Sequence, residues 1–259
     1  MPKVSAAIVT FNGYDKARQA VETLLVHTVG VQLTIYIVDN ASSDGTAERL
    51  RDEFPEIVVI ENKENYGFGY GHNTVLDVLD SDYHLIVNPD ILIDRDVVSE
   101  LVLYLEDNDD VGIVTPKILN LDGSDQELPK RKPVVAALVG RRILKKQLIK
   151  QVEYYQMKDR NLSEIQQIEF ATGCFFMIRT NLFKQLGGFD TRFFLYYEDI
   201  DISGRVLKTK KIIYYPDTYV YHAWERSSVH SFRYFLILVQ GMFRYFNKWG
   251  WKFRYKITN

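Results

Sequence analysis

The chain has 259 residues, 46% of them hydrophobic, and a formal charge of −2, enough apolar content for a large core in one α/β domain with a C-terminal appendage. A single cysteine, Cys174, excludes an internal disulfide framework and a thiolate metal cluster and makes a reducing cytoplasm the default compartment. The opening MPKVSAAIVTFN has no long apolar run and no small-residue cleavage site, so no secretory signal is read there.

Strand-like apolar runs come first at Val4–Thr10, Leu33–Val38, Ile57–Ile60, His84–Val87 and Val111–Thr115, with stretches between them long enough for helices. This alternation predicts a mostly parallel sheet covered on both faces. In open α/β sheets ligands bind at the carboxyl ends of the strands. The residues there are polar in four successive cases: Phe11-Asn12-Gly13, Asp39-Asn40, Glu61-Asn62 and Asn88-Pro89-Asp90. A hairpin-like stretch at Asn120–Ser124 follows, and from Phe170 the run Ala171–Ile178 reads as a buried strand or bend.

The run Asp39–Thr46 follows a strand and opens a helix, with Ser43 or Asp44 as its N-cap. It is either a capped turn or a place where Asp39 accepts hydrogen bonds from a ribose or base. Asn65–Asn73 is a glycine-spaced loop before a helical run expected at Thr74–Leu79. Its glycines permit close backbone approach and its helix start offers N–H groups to an anion, though the spacing is no dinucleotide fingerprint. At Asn88-Pro89-Asp90 the proline stops the strand and leaves the Asp90 carboxylate at the crevice. A lone carboxylate suffices for Mg²⁺ when substrate phosphates and water complete the shell, a solvated turn being the plain alternative.

The densest stretch, Gly187–Arg205, carries Glu198, Asp199 and Asp201 behind the aromatic run Phe193-Phe194-Leu195-Tyr196-Tyr197. Acids in the first turn of a helix partner its dipole. A carboxylate against aromatic rings in a crevice can instead have a raised pKa and serve as a general base.

Charge is unevenly spread. No acid occurs between Glu127 and Glu153, where Lys130, Arg131, Lys132, Arg141, Arg142, Lys145, Lys146 and Lys150 crowd, and none follows Glu225. From Val229 to Phe246, Phe232, Phe235, Leu236, Val239, Met242, Phe243 and Phe246 mark one helical face, interrupted by Arg233, Gln240 and Arg244. A spanning helix is not expected, and the face closes on the core or meets a lipid surface. The continuation Lys248–Lys256 mixes Trp and Tyr with Lys and Arg, which favours an anionic headgroup interface. Nucleic acid is disfavoured as a partner, because the carboxylate cluster would repel it.

Taken in order, Thr10-Phe11-Asn12, Asp39–Thr46, Asn65–Asn73, Asn88-Pro89-Asp90 and Phe193–Asp201 resemble family 2 glycosyltransferases, specifically the rhamnosyltransferase-like branch that includes galactofuranosyltransferases. The resemblance covers Val4 to Trp224. It implies the GT-A fold, a Rossmann-like mostly parallel sheet flanked by helices, with a C-terminal amphipathic helical segment. On this reading residues 1–225 are the transferase domain, with 1–120 its nucleotide-sugar half and 121–225 its acceptor and catalytic half; 226–259 are the basic aromatic segment.

The resemblance further implies inversion at the anomeric carbon. Thr10, Phe11, Asn12, Asp39, Asn40 and Asp44 would lie at the nucleoside, and Asn65, Gly67, Phe68, Gly69 and Asn73 would shape the diphosphate and sugar side. Asp90, beside Asn88 and Pro89, matches the last carboxylate of the metal motif, and Asn88 replaces its usual first Asp. His222 matches a histidine ligand, so that Asp90 and His222 would hold Mg²⁺ or Mn²⁺. Asp199 matches the general base. Tyr197, Glu198 and Asp201 would contact the acceptor or brace the helix, and Arg131 would help the leaving diphosphate.

The implied partners are a nucleotide-diphosphate sugar, a glycan or polyprenyl-diphosphate-linked acceptor and an anionic membrane surface. The implied location is peripheral, at the inner face of the cell membrane. L-Rhamnose from deoxythymidine-diphosphate rhamnose is the expected donor sugar, with galactofuranose, glucose and N-acetylglucosamine as alternatives. A catalytically inactive nucleotide-sugar-binding module is the alternative from another class.

Overall fold

The computed structural model describes residues 1–144, 146–223 and 232–257, at Arg142 the backbone alone. Trp224, the 225/226 domain boundary, Val229 and Lys145 lie outside the described residues. The chain runs β1 (Lys3–Thr10), α1 (Tyr14–His27), β2 (Gln32–Asp39), α2 (Thr46–Glu53), β3 (Val58–Glu61), α3 (Phe68–Asn73), β4 (Tyr83–Val87), β5 (Ile91–Leu92) and α4 (Val97–Asp107). It continues through β6 (Val111–Leu119), α5 (Val135–Arg142), α6 (Ile149–Tyr155), β7 (Gln166–Gln167), β8 (Phe175–Arg179), α7 (Thr180–Gln185), α8 (Glu198–Val206) and β9 (Lys211–His222). The last helix, α9, spans Phe232–Trp249.

Among the described residues the strands form one nine-stranded sheet in the order β3-β2-β1-β4-β8-β6-β9-β5, with β7 on β9. Strands β1 to β4, β6 and β9 share one direction, while β5, β7 and β8 run against it. The sheet is therefore mostly parallel, as its apolar runs imply. Every residue of β4 is buried, the mark of a strand covered on both faces. One cluster packs α1 and α4 against one face through Ala17, Ala20, Val21, Leu24, Leu101 and Leu105; another covers the opposite face with Phe176, Phe183, Phe189 and Ile202. On α1 the buried positions recur at helical spacing. Helix α4 starts where the Asp96 side chain accepts the Ser99 N–H at 3.1 Å.

Register brings the polar strand ends together. Thr10 pairs with Asp39 and Asp39 with Glu61, while Ile8 pairs with Val87. A third cluster gathers Val134, Tyr155, Phe193, Tyr197, Tyr245 and Phe246 and joins α5, α8 and α9.

Two expectations change. The helix expected at Thr74–Leu79 lies instead on the glycine run, at Phe68–Asn73, and Thr74–Val78 are turns. Its first N–H groups are used internally, Gly67 donating to Asn65 Oδ1 at 3.0 Å and Phe68 to the Phe194 carbonyl at 2.9 Å. The glycines serve packing: a Cβ at Gly67 would lie 2.0 Å from the Phe194 oxygen, at Gly69 2.9 Å from Phe189 and at Gly71 2.6 Å from Val9. The apolar face of α9 is also divided. Phe246 is buried, whereas Phe232, Phe235, Leu236 and Phe243 are exposed, Phe232 to 75%.

Candidate active site

The first polar strand ends satisfy one another. Asp39 accepts the Ser42 N–H at 2.8 Å and its hydroxyl. Asn12, in the left-handed region at φ 50°, accepts the Ser43 N–H at 2.8 Å. The Asp44 carboxylate accepts the Thr46 N–H at 3.1 Å and its hydroxyl at 2.6 Å, but neither Ser43 nor Asp44 is the N-cap of α2: that position is Gly45, at φ 78°, where the left-handed backbone suits glycine. Asn40 is buried, donates to the Gly67 carbonyl at 3.1 Å and accepts from Asn62 at 2.8 Å. Asn73 clamps the Phe189 backbone, its amide donating to the carbonyl and its oxygen accepting the N–H, both at 2.8 Å. These side chains hold the edge in shape. Phe11 stands half-exposed there, and the buried Thr10 hydroxyl has no partner.

After β4, Asp90 and His222 meet. Their Oδ1 and Nε2 lie 3.2 Å apart, and Asn88 sits at the limit of hydrogen bonding, 3.5 Å from the same nitrogen. Gln126 fixes the tautomer. Its amide nitrogen donates to the His222 carbonyl at 2.8 Å and to Asn120 Oδ1 at 3.0 Å, so its oxygen must face His222 Nδ1, 3.1 Å away. The proton of a neutral imidazole is then on Nδ1. Nε2 and Asp90 Oδ1 become two electron pairs facing one another, and Oδ1 is buried without a hydrogen-bond donor. One histidine nitrogen and one carboxylate, the former oriented through its second nitrogen, fit a divalent cation that takes its other ligands from phosphate and water. Among the described residues no group of three or more His, Cys, Asp or Glu could hold a metal. Gln126 carries no motif of its own; its position six residues past Asn120 in the hairpin is the sole signal.

The second centre is the start of α8. Tyr196 and Tyr197 both have positive φ, 70° and 72°, a strained pair for side chains of that size. They turn Glu198 and Asp199 inward. Asp199 accepts the Gly173 N–H at 3.1 Å and that of Ile200 at 2.8 Å. Glu198 is 5% exposed, and its Oε2 has no partner. Burial raises both carboxyls above their ordinary range, Glu198 strongly because Asp199 adds its charge. The two N–H donors work in the other direction on Asp199, so Glu198 retains the proton of the pair and Asp199 is its basic member.

Two adjacent residues join the two centres. Gly173 donates to Asp199, while the Cys174 carbonyl accepts the Asn88 N–H at 2.8 Å. Buried Cys174, its thiol pushed up to about 12 chiefly by burial, feels the charges of both Asp90 and Asp199.

Two other nominated residues are engaged elsewhere. Asp201 is fully buried and bonded to Arg205 at 2.9 Å, to Lys248 at 2.7 Å and to Trp249 Nε1 at 2.8 Å; it braces α8 against α9. The Arg131 guanidinium makes a bidentate pair with Asp159, both bonds 2.7 Å, and donates to the Tyr154 carbonyl. Its donors are thereby turned from the crevice.

The profile described as Glycosyl transferase family 2 matches residues 5–187. A low-salt glycan biosynthesis hexosyltransferase of Haloferax volcanii is 26% identical over 195 residues, 73% of this chain and 58% of its own length. An N-acetylglucosaminyl-diphospho-decaprenol L-rhamnosyltransferase of Mycobacterium tuberculosis is 23% identical over 203 residues, 73% of this chain and 66% of its own. The chain thus spans less than two thirds of either relative. A rhamnosyltransferase of Escherichia coli is 24% identical, with 66% of this chain and 74% of its own covered.

Among solved structures, a mannosyltransferase from Pyrobaculum calidifontis in complex with GDP-Man and Mn²⁺ superposes with a TM-score of 0.64 at 21% identity, covering 95% of this chain and 64% of that one. GalNAc-T7 with UDP, GalNAc and Mn²⁺ gives 0.70 at 14%, covering 95% and 48%. Both likenesses bear out the GT-A fold. With the matched profile spanning most of the chain and the motifs in family order along one sheet edge, the protein belongs to glycosyl transferase family 2.

Proposed function

We propose that the protein is an inverting glycosyltransferase that moves L-rhamnose from deoxythymidine-diphosphate rhamnose onto a hydroxyl of a lipid-linked glycan during cell-surface polysaccharide assembly. The observation that carries this reading is Asp199, a half-buried carboxylate held by two backbone N–H groups beside the buried Glu198, whose carboxyl is pushed well above its ordinary range by burial and by the Asp199 charge. A single displacement requires one base and no enzyme nucleophile, and Glu198, which holds its proton more tightly than Asp199, is the poorer candidate for it. Asp199 takes the acceptor proton as the hydroxyl attacks the anomeric carbon from the face opposite the nucleotide. The transition state has oxocarbenium character. The edge built by Thr10, Phe11, Asn12, Asp39, Asn40 and Asp44 receives the nucleoside, and the run from Asn65 to Asn73 walls the donor sugar.

Asp90 and His222 would hold Mg²⁺ or Mn²⁺ together with donor phosphate oxygens. Bound there, the cation would neutralise the charge developing on the leaving diphosphate. Rhamnose is favoured because two relatives are named as rhamnosyltransferases, and a polyprenyl-linked acceptor because one is named for N-acetylglucosaminyl-diphospho-decaprenol.

A peripheral place at the inner membrane surface is supported by the exposed Phe232, Phe235, Leu236, Phe243 and Phe253, interleaved with Arg and Lys in an acid-free segment. Among the described residues no helix is long and apolar enough to cross a membrane.

The test is transfer from a panel of nucleotide sugars, chosen by metal-dependent thermal shift. Chelator should abolish turnover, and Mg²⁺ or Mn²⁺ should restore it. Asp199→Asn keeps size and should bind donor nearly as well while transferring about 10²-fold more slowly or worse. Near-normal transfer by that variant with a dead Glu198→Gln would move the base to Glu198; two active variants would end the mechanism.

A further inference from the structure

Lys130 and Arg131 are adjacent and both buried, to 8% and 6% exposure, yet their charges are treated differently. Arg131 has Asp159. Among the described residues Lys130 makes no ion pair, and its ammonium faces the Phe170 ring, 5.7 Å from the centroid. A buried charge without a counter-ion is costly and marks a place where an anion is expected.

The backbone of Lys130 forms an antiparallel bridge with Phe170, three residues before the Gly173 N–H that holds Asp199. The ammonium lies close enough to feel the charges of both Arg141 and Asp199, and burial pushes it down to about 8. Arg141, exposed at the end of α5, sits 5.7 Å from the ring centroid of buried Tyr155, which also feels Asp199. No acid interrupts this segment from Leu128 to Val152.

In an in-line displacement the base and the leaving diphosphate stand on opposite faces of the reacting carbon. Asp90 and His222 mark the diphosphate side, so a cation pair beside Asp199 serves the acceptor. The neighbourhood is apolar beyond it: Val135 and Ala136 at the start of α5 donate to the carbonyls of Lys252 and Phe253, at 3.0 and 2.9 Å, next to exposed Trp251 and Phe253.

We infer that Lys130 and Arg141 bind a phosphate or diphosphate carried by the acceptor close to its reacting hydroxyl, so that the protein extends a sugar attached directly to a phosphate. This rests on the glycosyl transfer proposed above. It also names one chemistry with two sources, acceptor and donor, which the experiment separates.

Decyl diphosphate is titrated calorimetrically into the full chain with Mn²⁺ and an excess of both dTDP and UDP, which occupy the donor side. The chain should bind it. Lys130→Met and Arg141→Gln should each weaken that binding about tenfold or more, with nucleotide affinity unchanged. In transfer assays the preference for an acceptor sugar on decyl diphosphate over its decyl glycoside should fall by a similar factor, through KM rather than kcat. Arg141→Gln is a surface change and carries the test if Lys130→Met does not fold. Unaltered decyl diphosphate binding, or weakened nucleotide binding instead, overturns the inference; so does an equal fall in kcat for both acceptors, which would make Lys130 a positioning residue for Asp199. If no nucleotide sugar supports transfer, the glycosyl-transfer reading fails while the calorimetric arm still decides this one.

Discussion

The two stretches of the sheet's carboxyl edge handle polar atoms in opposite ways. Along β1, β2 and β3, Asp39, Asn40, Asn62 and Asn65 bond to one another and to nearby backbone, with the Thr10 hydroxyl as the exception. Around β8 and α8, Asp90 Oδ1 and Glu198 Oε2 are buried without donors, and Lys130 makes no ion pair among the described residues. The first stretch has its polar groups satisfied from within the chain. On the proposed reading the second keeps its charges for a ligand, at a cost in stability that functional sites commonly carry.

Substitutions can break this contrast, and the largest stability effect belongs to the join between the stretches and α9. Asp201→Ala leaves Arg205, Lys248 and Trp249 facing an emptied buried site, and should cost about 3 to 5 kcal/mol. Chemical denaturation measures this; a loss below about 1 kcal/mol would mean that Asp201 is no brace. On the satisfied side, Asn40→Ala strands the Gly67 carbonyl and the Asn62 amide and should cost about 1 to 3 kcal/mol.

On the charged side the sign reverses. The pKa of Glu198 is raised in the folded chain, so the native state binds the proton more tightly than the unfolded state. Its contribution is fully present below the unfolded value of about 4.3 and is lost as pH rises through the folded value. Glu198→Gln should therefore raise Tm at neutral pH, and the gain should vanish below about pH 4. A pH-independent difference would show that Glu198 is not protonated by burial. The smallest effect on folding is expected outside both stretches. Phe235→Ser with Leu236→Ser, at exposed positions, should leave stability within about 0.5 kcal/mol each while reducing sedimentation with anionic liposomes. Unchanged sedimentation would remove the lipid role from this face.

Strands β1 to β4 and β6 were legible as short apolar runs, the first four followed within two residues by Asn or Asp, and the register aligns those ends; β5, β7 and β9 were not among the expected strands. Strand order was not, since nothing local tells β8 to enter between β4 and β6 against their direction. Spacing could not separate Asp199 from Asp201: what makes Asp201 a brace is Lys248 and Trp249, far along the chain. Arg131 and Lys130 read alike within a basic run, and only the fold gives one of them Asp159. The helix at Phe68–Asn73 was hidden because its glycines, poor helix formers alone, are required by close neighbours.

Gly241 of α9 rests directly on the strained turn, where an added Cβ would lie 2.9 Å from the Tyr197 ring and 3.2 Å from the Tyr196 carbonyl. The helix that offers its outer phenylalanines to solvent therefore presses, through a side-chain-free spot, on the two residues that aim Asp199. A single methyl group there would act as a wedge. If Asp199 is the base as proposed, a displacement of α9 would reach it through Tyr196 and Tyr197 without touching a reacting atom, and the helix would be a lever as much as a covering.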